Sequence, residues 1–313
     1  MPVTLDPSAA HIVQLFREAG RPPLDTLSPT DARIAYLMGR AVTQPEPPEL
    51  QSVKPMTVPG PAGPIPVRIY TPNGITGQDA LAPGLVFFHG GGWVIGDLDS
   101  HDTVCRQLAA GADRIVVAVD YRLAPEHKFP AAIDDAIAAT DWIAANAMQL
   151  GIDANRIVVG GDSAGGNLAA AVALHARDHG PKLSGQMLVY PVTELAMSHP
   201  SHSEPETSVL LTHTVMRWFR DHYVNSDSDH ADWRGSPLRA ADLKGLPPAI
   251  VVTAGADPLR DEGDEYARKL EAAGVEVTHR NWPGQFHGFF TMGKVIPEAN
   301  AMVADVCAWL KAL

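Results

Sequence analysis

One stretch, Arg156 to Asn167, constrains the fold more than any other part of the chain. Its first residues are mostly β-branched and apolar, which is typical of a strand buried on both faces. Small residues follow from Ala164 onward and suit a helix that packs closely against a sheet. An abrupt strand-to-helix turn must join the two elements. The sequence of that turn is Gly161-Asp162-Ser163-Ala164-Gly165.

The spacing of the two glycines around Ser163 has a physical cause. Ser163 must adopt a strained backbone conformation if its hydroxyl is to stand above the sheet, and a Cβ two residues before or after it would collide in so sharp a bend. Free N–H groups at the start of the following helix favour developing negative charge. The pattern therefore predicts a serine nucleophile. A glycine-rich turn around an ordinary serine is the alternative that these five residues alone leave open.

From residue 84 onward, apolar strands alternate with helices, which predicts a parallel sheet covered on both faces. Residues 53–58 and 67–70 predict an antiparallel hairpin at its edge. The six predicted strands of the alternating part are 84–88, 115–119, 156–159, 186–190, 249–253 and 275–278. The predicted helices of this part lie near 100–111, 131–149, 164–179, 261–273 and 298–310.

Two segments fall outside the alternation and predict a cap over the sheet. Residues 1–50 have a helical pattern and end in a proline-rich linker. Residues 194–241 contain no predicted strand and include an amphipathic stretch from Val209 to Tyr223. We therefore expect a core formed by residues 51–193 and 242–313, with an N-terminal cap segment at 1–50 and a cap insertion at 194–241.

Charge and composition limit the class of partner. The formal net charge of −12 disfavours a nucleic-acid partner, because phosphate binding needs clustered Lys and Arg, and it disfavours an anionic membrane surface for the same reason. Residues 1–20 do not have the pattern of a signal peptide, so we expect a soluble, cytoplasmic protein. Cys105 and Cys307 are predicted to be buried thiols in a reduced compartment, and no metal-ligand spacing is present.

A glycine loop, His89-Gly90-Gly91-Gly92-Trp93, follows directly on the predicted strand 84–88. Consecutive glycines let the backbone approach a ligand and turn its N–H groups inward. The loop predicts an oxyanion hole made by the N–H groups of Gly91, Gly92 and Ala164, and each such donor contributes about 10²–10³ in rate. A flexible turn is the plain alternative, and a phosphate loop is disfavoured because no Gly-Lys-Ser/Thr follows. His89 is expected to brace the loop.

A serine nucleophile also needs a base and a group that orients the base. Asp257 comes just after a predicted strand, at the edge where open α/β sheets hold their chemistry. A helix cap is the alternative role for a lone aspartate, and Asp261 and Glu262 are nearby rivals. The base candidate is His287, in a glycine-flanked loop after the last predicted strand. The order Ser163, Asp257, His287 is that of the α/β-hydrolases.

Together these motifs resemble the hormone-sensitive-lipase-like branch of the α/β-hydrolases, the bacterial family IV esterases. The resemblance extends from about residue 50 to the C-terminus, and it implies an α/β-hydrolase fold: an eight-stranded, mostly parallel sheet with helices on both faces and a helical cap. It also implies hydrolysis of carboxylic esters with short to medium acyl chains. The segments that carry the resemblance are His89-Gly90-Gly91-Gly92-Trp93, Tyr121-Arg122-Leu123-Ala124-Pro125-Glu126, Gly161-Asp162-Ser163-Ala164-Gly165-Gly166, Asp257-Pro258-Leu259 and His287-Gly288-Phe289.

Carried over residue by residue, the resemblance implies that Ser163 is the nucleophile, that His287 is the general base and then the acid, and that Asp257 orients His287. Trp93 and Tyr190 are expected to line the substrate pocket. A small-molecule ester is the expected substrate, and neither an organic cofactor nor a metal ion is expected.

Two further expectations concern the turn at the nucleophile and the oligomeric state. Asp162 is expected to brace the turn at the nucleophile. The resemblance implies a homodimer, paired edge to edge through residues 275–278. Two other functions on this scaffold stay open: a non-catalytic small-molecule binding protein, as in the gibberellin receptors, and a non-ester enzyme such as an amide hydrolase or a dehydratase.

Overall fold

The computed structural model describes residues 3–75, 81–205 and 207–313. Within these ranges the strands form one eight-stranded sheet, in the order β1-β2-β4-β3-β5-β6-β7-β8. Strand β2 is antiparallel to both of its neighbours, and all the other pairs are parallel. The strands are β1 (Ser52–Gly60), β2 (Gly63–Thr71), β3 (Ala82–Phe88), β4 (Ile115–Val119), β5 (Ile152–Asp162), β6 (Gly185–Val189), β7 (Ala249–Ala256) and β8 (Val277–Phe286).

Helices cover the sheet and extend above it. Two of the helices outside the alternating part begin with strong capping signals. Ser28 accepts the N–H of Asp31 at 3.1 Å ahead of a proline at the first helical position, and Thr212 accepts the N–H of Val215 at 3.2 Å. The helices are α1 (Pro7–Glu18), α2 (Pro29–Thr43), α3 (Asp102–Ala112), α4 (Ala131–Ala145), α5 (Ala164–His179), α6 (His213–Tyr223), α7 (Arg260–Ala272) and α8 (Pro297–Ala312).

Apolar side chains form a core on each face of the sheet. One core gathers residues of α4, α5 and α7, and the other gathers residues of α1, α3 and α8. Every residue of β4 is buried, which explains why this strand is a continuous apolar run. The small residues of α5 bring it close to the sheet, and Leu168 to Ala171 are fully buried there.

The register of the central strands brings two distant loops together. Phe88 of β3 lies opposite Gly161 of β5, so the loop after β3 and the turn after β5 leave the sheet side by side. Because these strands are parallel to β7 and β8, all four carboxyl ends meet at one edge of the sheet. The helices α1, α2 and α6 contribute residues to a cavity above that edge.

The structure confirms the predicted eight-stranded, mostly parallel sheet with an antiparallel hairpin at its edge. The prediction for the last strand was wrong in length, because the strand covers Val277–Phe286 rather than 275–278. Strand β8 is an edge strand paired only with β7, so most of its side chains stay partly exposed and give no apolar run. Both cysteines are free and buried. None of the helices in the described ranges is long and apolar enough to cross a membrane.

Candidate active site

The turn between β5 and α5 holds Ser163 in a conformation that side chains rarely adopt, with φ +57° and ψ −119°. A Cβ at Gly161 or at Gly165 would run into the carbonyl oxygen of Phe88, so both positions require glycine. The carbonyl of Ser163 accepts the N–H of Asn167 at 3.0 Å, and its own N–H donates to Val189 at 2.8 Å. The turn is therefore fixed from both sides.

The structure brings the three predicted residues Ser163, His287 and Asp257 into one hydrogen-bonded chain. His287 Nε2 lies 2.9 Å from Ser163 Oγ, and His287 Nδ1 lies 2.8 Å from Asp257 Oδ2. Because a carboxylate can only accept, Nδ1 carries the proton, and the lone pair of Nε2 faces the serine hydroxyl. The geometry is that of a base poised to take the hydroxyl proton.

Asp257 is fixed by its position at the end of β7. Its side chain is fully buried, and its second oxygen accepts the N–H of Leu259 at 2.8 Å. The other two candidate carboxylates, Asp261 and Glu262, accept hydrogen bonds from other residues. Asp261 accepts the N–H of Ser201 at 3.0 Å, and Glu262 accepts the N–H groups of Thr193 and Glu194.

The glycine loop after β3 places unpartnered N–H groups beside Ser163. Gly91 and Gly92 have φ values of +125° and +57°, and a Cβ on Gly91 would collide with the carbonyl oxygen of Ile95. Among the described residues, no protein atom accepts a hydrogen bond from the N–H of Gly91 or Gly92. Ala164 is the first residue of α5, where backbone N–H groups have no partner within the helix.

Behind the loop, Asp162 connects the nucleophile turn to the glycines. Its Oδ1 accepts the N–H of Gly90 at 2.9 Å and lies 3.2 Å from His101 Nε2. Burial acts to raise the pKa of Asp162, but the charge and hydrogen bond of His101 outweigh it and hold this pKa below its usual value. Asp162 is therefore a buried anion. The sequence predicted its bracing role but missed His101, which is one of 13 histidines and lies in no recognisable motif.

His89 supports the same loop as a neutral side chain. Its Nδ1–H donates to the carbonyl of Gly90 at 2.8 Å, and its ring stacks on Tyr121 at a centroid distance of 4.3 Å. The Tyr121 hydroxyl donates to the carbonyl of His89 at 2.7 Å. Burial and the nearby His101 lower the pKa of His89 to about 4. His89 thus fixes the backbone of the loop, as the sequence predicted.

A cavity of about 580 Å³ opens above Ser163. The N-terminal helices and the segment 192–220 form most of its wall, and apolar side chains dominate it. Trp93 is part of the wall and stacks on Tyr223 at 4.2 Å. The apolar lining residues are Phe16, Pro22, Pro23, Leu24, Leu27, Ala35, Trp93, Ile95, Val192, Leu195, Met197, Val209, Leu210, Leu211, Val215, Met216, Phe219, Leu259 and Met292.

Tyr190, which the sequence predicts to line the pocket, is not among the residues of the described cavity wall. The residue directly follows β6 and has a φ of +34°. It is 1% exposed, and its ring packs against that of His287 at 4.6 Å. Tyr190 therefore supports the ring of His287.

One group of side chains in the described ranges has the geometry of possible metal ligands. The ligand atoms of His199, His202 and Glu262 lie within 4.8 Å of one another. His202 Nε2 is hydrogen bonded to Glu262, whose other oxygen accepts the N–H groups of Thr193 and Glu194. These bonds attach the segment that follows β6 to α7, and a cation would have to displace the histidine–glutamate bond.

Comparison with known proteins places this geometry in a family. A family model described as the alpha/beta hydrolase fold matches residues 85–291. The chain is 48% identical to Esterase LipI of Mycobacterium tuberculosis, over 82% of this chain and 80% of that protein. It is 40% identical to an ethyl acetate hydrolase of Pseudomonas putida, over 95% of this chain and 96% of that protein.

A solved structure agrees along nearly the whole chain. It is that of an ester hydrolase, EH1AB1, from the metagenome of Lake Arreo, in complex with a derivative of bipyridine phosphonate. The two chains share 42% identity, the match covers 99% of each, and the TM-score is 0.93. The chain therefore belongs to the hormone-sensitive-lipase-like branch of the α/β-hydrolases, and it is a carboxylesterase of that family.

Proposed function

We propose that this carboxylesterase works through an acyl-enzyme on Ser163, with His287 as the general base and Asp257 as the group that orients His287. The observation that carries the proposal is the hydrogen-bonded chain of these three residues, with heavy-atom distances of 2.9 and 2.8 Å. These distances lie within the reach that direct proton transfer requires.

In the first half of the reaction, His287 Nε2 takes the proton of Ser163 as Oγ attacks the ester carbonyl carbon. The carbonyl oxygen becomes an oxyanion, which accepts hydrogen bonds from the N–H groups of Gly91, Gly92 and Ala164. Asp257 stabilises the imidazolium that forms and stays ionised. The imidazolium then gives its proton to the leaving alkoxide, the C–O bond breaks, and the alcohol departs.

In the second half, water replaces the alcohol. His287 takes a proton from the water as its oxygen attacks the acyl carbon, and the same three N–H groups accept the oxyanion. The proton then passes to Ser163 Oγ as the acyl–enzyme bond breaks, which releases the carboxylic acid and restores the enzyme. Each step uses groups of this chain and one water molecule only.

We further propose that the preferred esters have short to medium acyl chains. The cavity volume of about 580 Å³ and its apolar wall suit a small, mostly apolar ester rather than a long-chain lipid. The Pseudomonas putida relative is an ethyl acetate hydrolase, and ethyl acetate is a very small ester. We assign residues 1–50 and 194–241 to the cap, because residues of both segments line the cavity.

The test is hydrolysis of p-nitrophenyl esters from acetyl to palmitoyl by the wild type and by Ser163→Ala. We expect turnover to be highest below about ten acyl carbons and to fall by at least about 10⁴-fold in the variant. An organophosphonate probe should label Ser163 of the wild type alone. Substantial turnover by a folded Ser163→Ala protein would rule out this serine as the nucleophile.

Two other functions have distinct outcomes in the same experiment. A binding protein would fold and bind small esters without turnover or labelling. An amide hydrolase or dehydratase would be labelled at Ser163 but would turn over its own substrate class faster than any ester. The hydrogen-bonded set Ser163, His287 and Asp257 favours the ester hydrolase, because the gibberellin receptors, which resemble these esterases, lack a complete set.

We also propose a homodimer paired through the exposed edge of β8. The edge strand has one described neighbour, β7, so its outer N–H and C=O groups are available to a second copy. A monomer mass in light scattering at micromolar concentration would overturn this pairing.

A further inference from the structure

A buried arginine of the N-terminal segment, Arg40, lacks the partner that buried cations normally have. Its side chain is 7% exposed. It donates to Thr291, to the hydroxyl of Tyr36 at 2.6 Å and to the carbonyl of Gly288 at 3.4 Å. All three acceptors are neutral, and its Nε has no hydrogen-bond partner. Among the described residues, no carboxylate lies within ion-pair distance of Arg40.

A second buried arginine shows what a purely structural role looks like in this fold. Arg114 is 0% exposed, and its Nε and both terminal nitrogens donate to backbone carbonyls, namely those of Leu310, Gly84 and Arg156. It holds the end of α8 against the sheet and does not lie in the described cavity wall. Arg40 differs in both respects, since it keeps a free donor and lines the cavity above Ser163.

Arg40 lies close to the reacting groups. Its guanidinium is held between Tyr36 and Gly288, and both of these residues line the cavity. Gly288 directly follows His287 in the chain. Arg40 and Ser163 line the same cavity, so a ligand of suitable length can contact both.

Arginines outnumber carboxylates in the described cavity wall. Four arginines line it, Arg17, Arg21, Arg40 and Arg220. Arg17 and Arg21 are exposed and form no ion pair with the described residues, whereas Arg220 pairs with Asp221 at 3.2 Å.

The two carboxylates of the wall are already engaged. Asp162 contacts Gly90 and His101, and Glu194 pairs with Arg239. Burial acts to lower the pKa of Arg40, and the charges of nearby groups, Asp162 among them, raise it. The cavity is thus cationic in a chain whose net charge is −12.

Burial of a cation without a direct ion-pair partner is costly, and a carboxylate is the best partner for Arg40 because it can accept two N–H bonds from the guanidinium fork. We propose that the enzyme prefers esters that themselves carry a carboxylate, which Arg40 binds inside the cavity while Arg17 and Arg21 attract it at the mouth. This inference rests on the proposed function and names its substrate class. Because the cavity wall is mostly apolar, we expect the part of the substrate between the ester and the carboxylate to be a hydrocarbon.

Two matched substrate pairs test the proposal. For the acyl side, mono-p-nitrophenyl glutarate is compared with p-nitrophenyl valerate, which has a methyl in place of the carboxylate. For the alcohol side, 4-acetoxybenzoate is compared with 4-acetoxybenzamide. In each pair the quantity is the ratio of kcat/KM for the anionic and the neutral ester, measured on one preparation, so that the fraction of active enzyme cancels.

We expect the wild type to favour the anionic ester at least about tenfold in one of the pairs, mainly through KM. Arg40→Gln should remove most of this preference, and Arg40→Lys should keep part of it. The double variant Arg17→Gln/Arg21→Gln should lower the anionic-to-neutral ratio of kcat/KM at low salt. In this variant the ratio should also fall less steeply as the ionic strength rises. Arg280→Gln is the control for net charge, because this exposed residue pairs with Asp305, and it should leave the ratio unchanged.

The proposal is overturned if the anionic ester has no advantage in either pair, or if Arg40→Gln leaves the ratio unchanged. If Arg40→Gln does not fold, the deciding measurement is the inhibition of wild-type p-nitrophenyl valerate hydrolysis by benzoate and by benzamide. A lower inhibition constant for benzoate supports the proposal, and equal constants overturn it. Loss of all ester turnover together with absent labelling of Ser163 would instead refute the proposed function.

Discussion

Asp162 accepts a hydrogen bond from the backbone N–H of Gly90 at 2.9 Å, and this bond joins the residue before Ser163 to the loop that carries Gly91 and Gly92. The proposed nucleophile Ser163 and the proposed oxyanion donors Gly91 and Gly92 are far apart in the sequence, but this buried contact links the segments that carry them. A shift of the loop would therefore move Asp162 and, with it, the strained turn. Such coupling keeps both parts in the relative position that stabilisation of an oxyanion requires.

Replacement of Asp257 by Asn tests the orienting role. The amide can donate to His287 Nδ1, which would place the imidazole proton on Nε2. A protonated Nε2 cannot accept the hydroxyl proton of Ser163. We expect kcat to fall about 10⁴-fold with little change in KM. Asp261→Asn is the matched control on the neighbouring helix and should lower kcat by less than about tenfold. Equal losses in the two variants would contradict the assignment of Asp257.

Replacement of Gly165 by Ala tests the packing of the nucleophile turn. A Cβ at this position would overlap the carbonyl oxygen of Phe88, a backbone atom that cannot move aside cheaply. We expect a loss of about 3 kcal/mol or more in the free energy of unfolding, measured by urea denaturation. Gly39→Ala in α2 is the control, since its Cβ would meet nothing within 4 Å, and it should gain about 0.5–1 kcal/mol.

The lowered pKa of buried His89 predicts that the free energy of unfolding depends on pH. Its pKa is about 4 in the folded protein, below the value of about 6.5 in an unfolded chain, so between these values the unfolded state binds more protons. Stability contributed by neutral His89 is complete above about pH 6.5 and is lost as the pH falls toward 4, by on the order of 3 kcal/mol in total.

The measurement compares urea midpoints of the wild type and of His89→Gln from pH 7 to pH 4. Both proteins lose stability as carboxylates protonate, but the wild type should lose more, so that the two curves converge at acidic pH. Parallel curves across the window would show that His89 does not titrate as a buried neutral group.

The position of Phe219 predicts that its side chain limits the length of the acyl chain that the cavity accepts. Its ring in α6 occupies the position that a Cβ on Gly92 would take, so it lies directly over the glycine loop. We expect Phe219→Ala to raise the ratio of kcat/KM for octanoyl over butanoyl p-nitrophenyl esters by about tenfold. Arg217→Ala, at an exposed position of the same helix, should leave the chain-length profile unchanged. An unaltered profile in Phe219→Ala would place the acyl chain elsewhere in the cavity.

The element order and the three central residues could be predicted from the sequence because each motif has a local stereochemical cause. The turn at Ser163 needs glycines at fixed spacing, and buried parallel strands need continuous apolar runs. Strand β8 lacks such a run since it lies at the sheet edge, so its length was underestimated. The carboxylesterase class followed from the combination of motifs rather than from any one of them.

Contacts between distant residues could not be predicted in the same way. His101 differs from the other histidines only by its position beside Asp162, which the chain order does not indicate. Tyr190 packs against His287 and has a positive φ at a non-glycine residue, and no sequence pattern marks that conformation. Met216 lines the cavity rather than a core, and an apolar residue type does not distinguish these two environments.

The division of the cavity wall has a consequence for how enzymes of this kind diversify. The proposed reacting groups are held by the ends of β5, β7 and β8, whereas most of the wall comes from two segments that precede and interrupt the sheet-forming part of the chain. Selection on the wall can therefore change which esters enter without disturbing the groups that cleave them. Exchange of these two segments between homologues is accordingly a route to new substrate ranges on an unaltered catalytic frame.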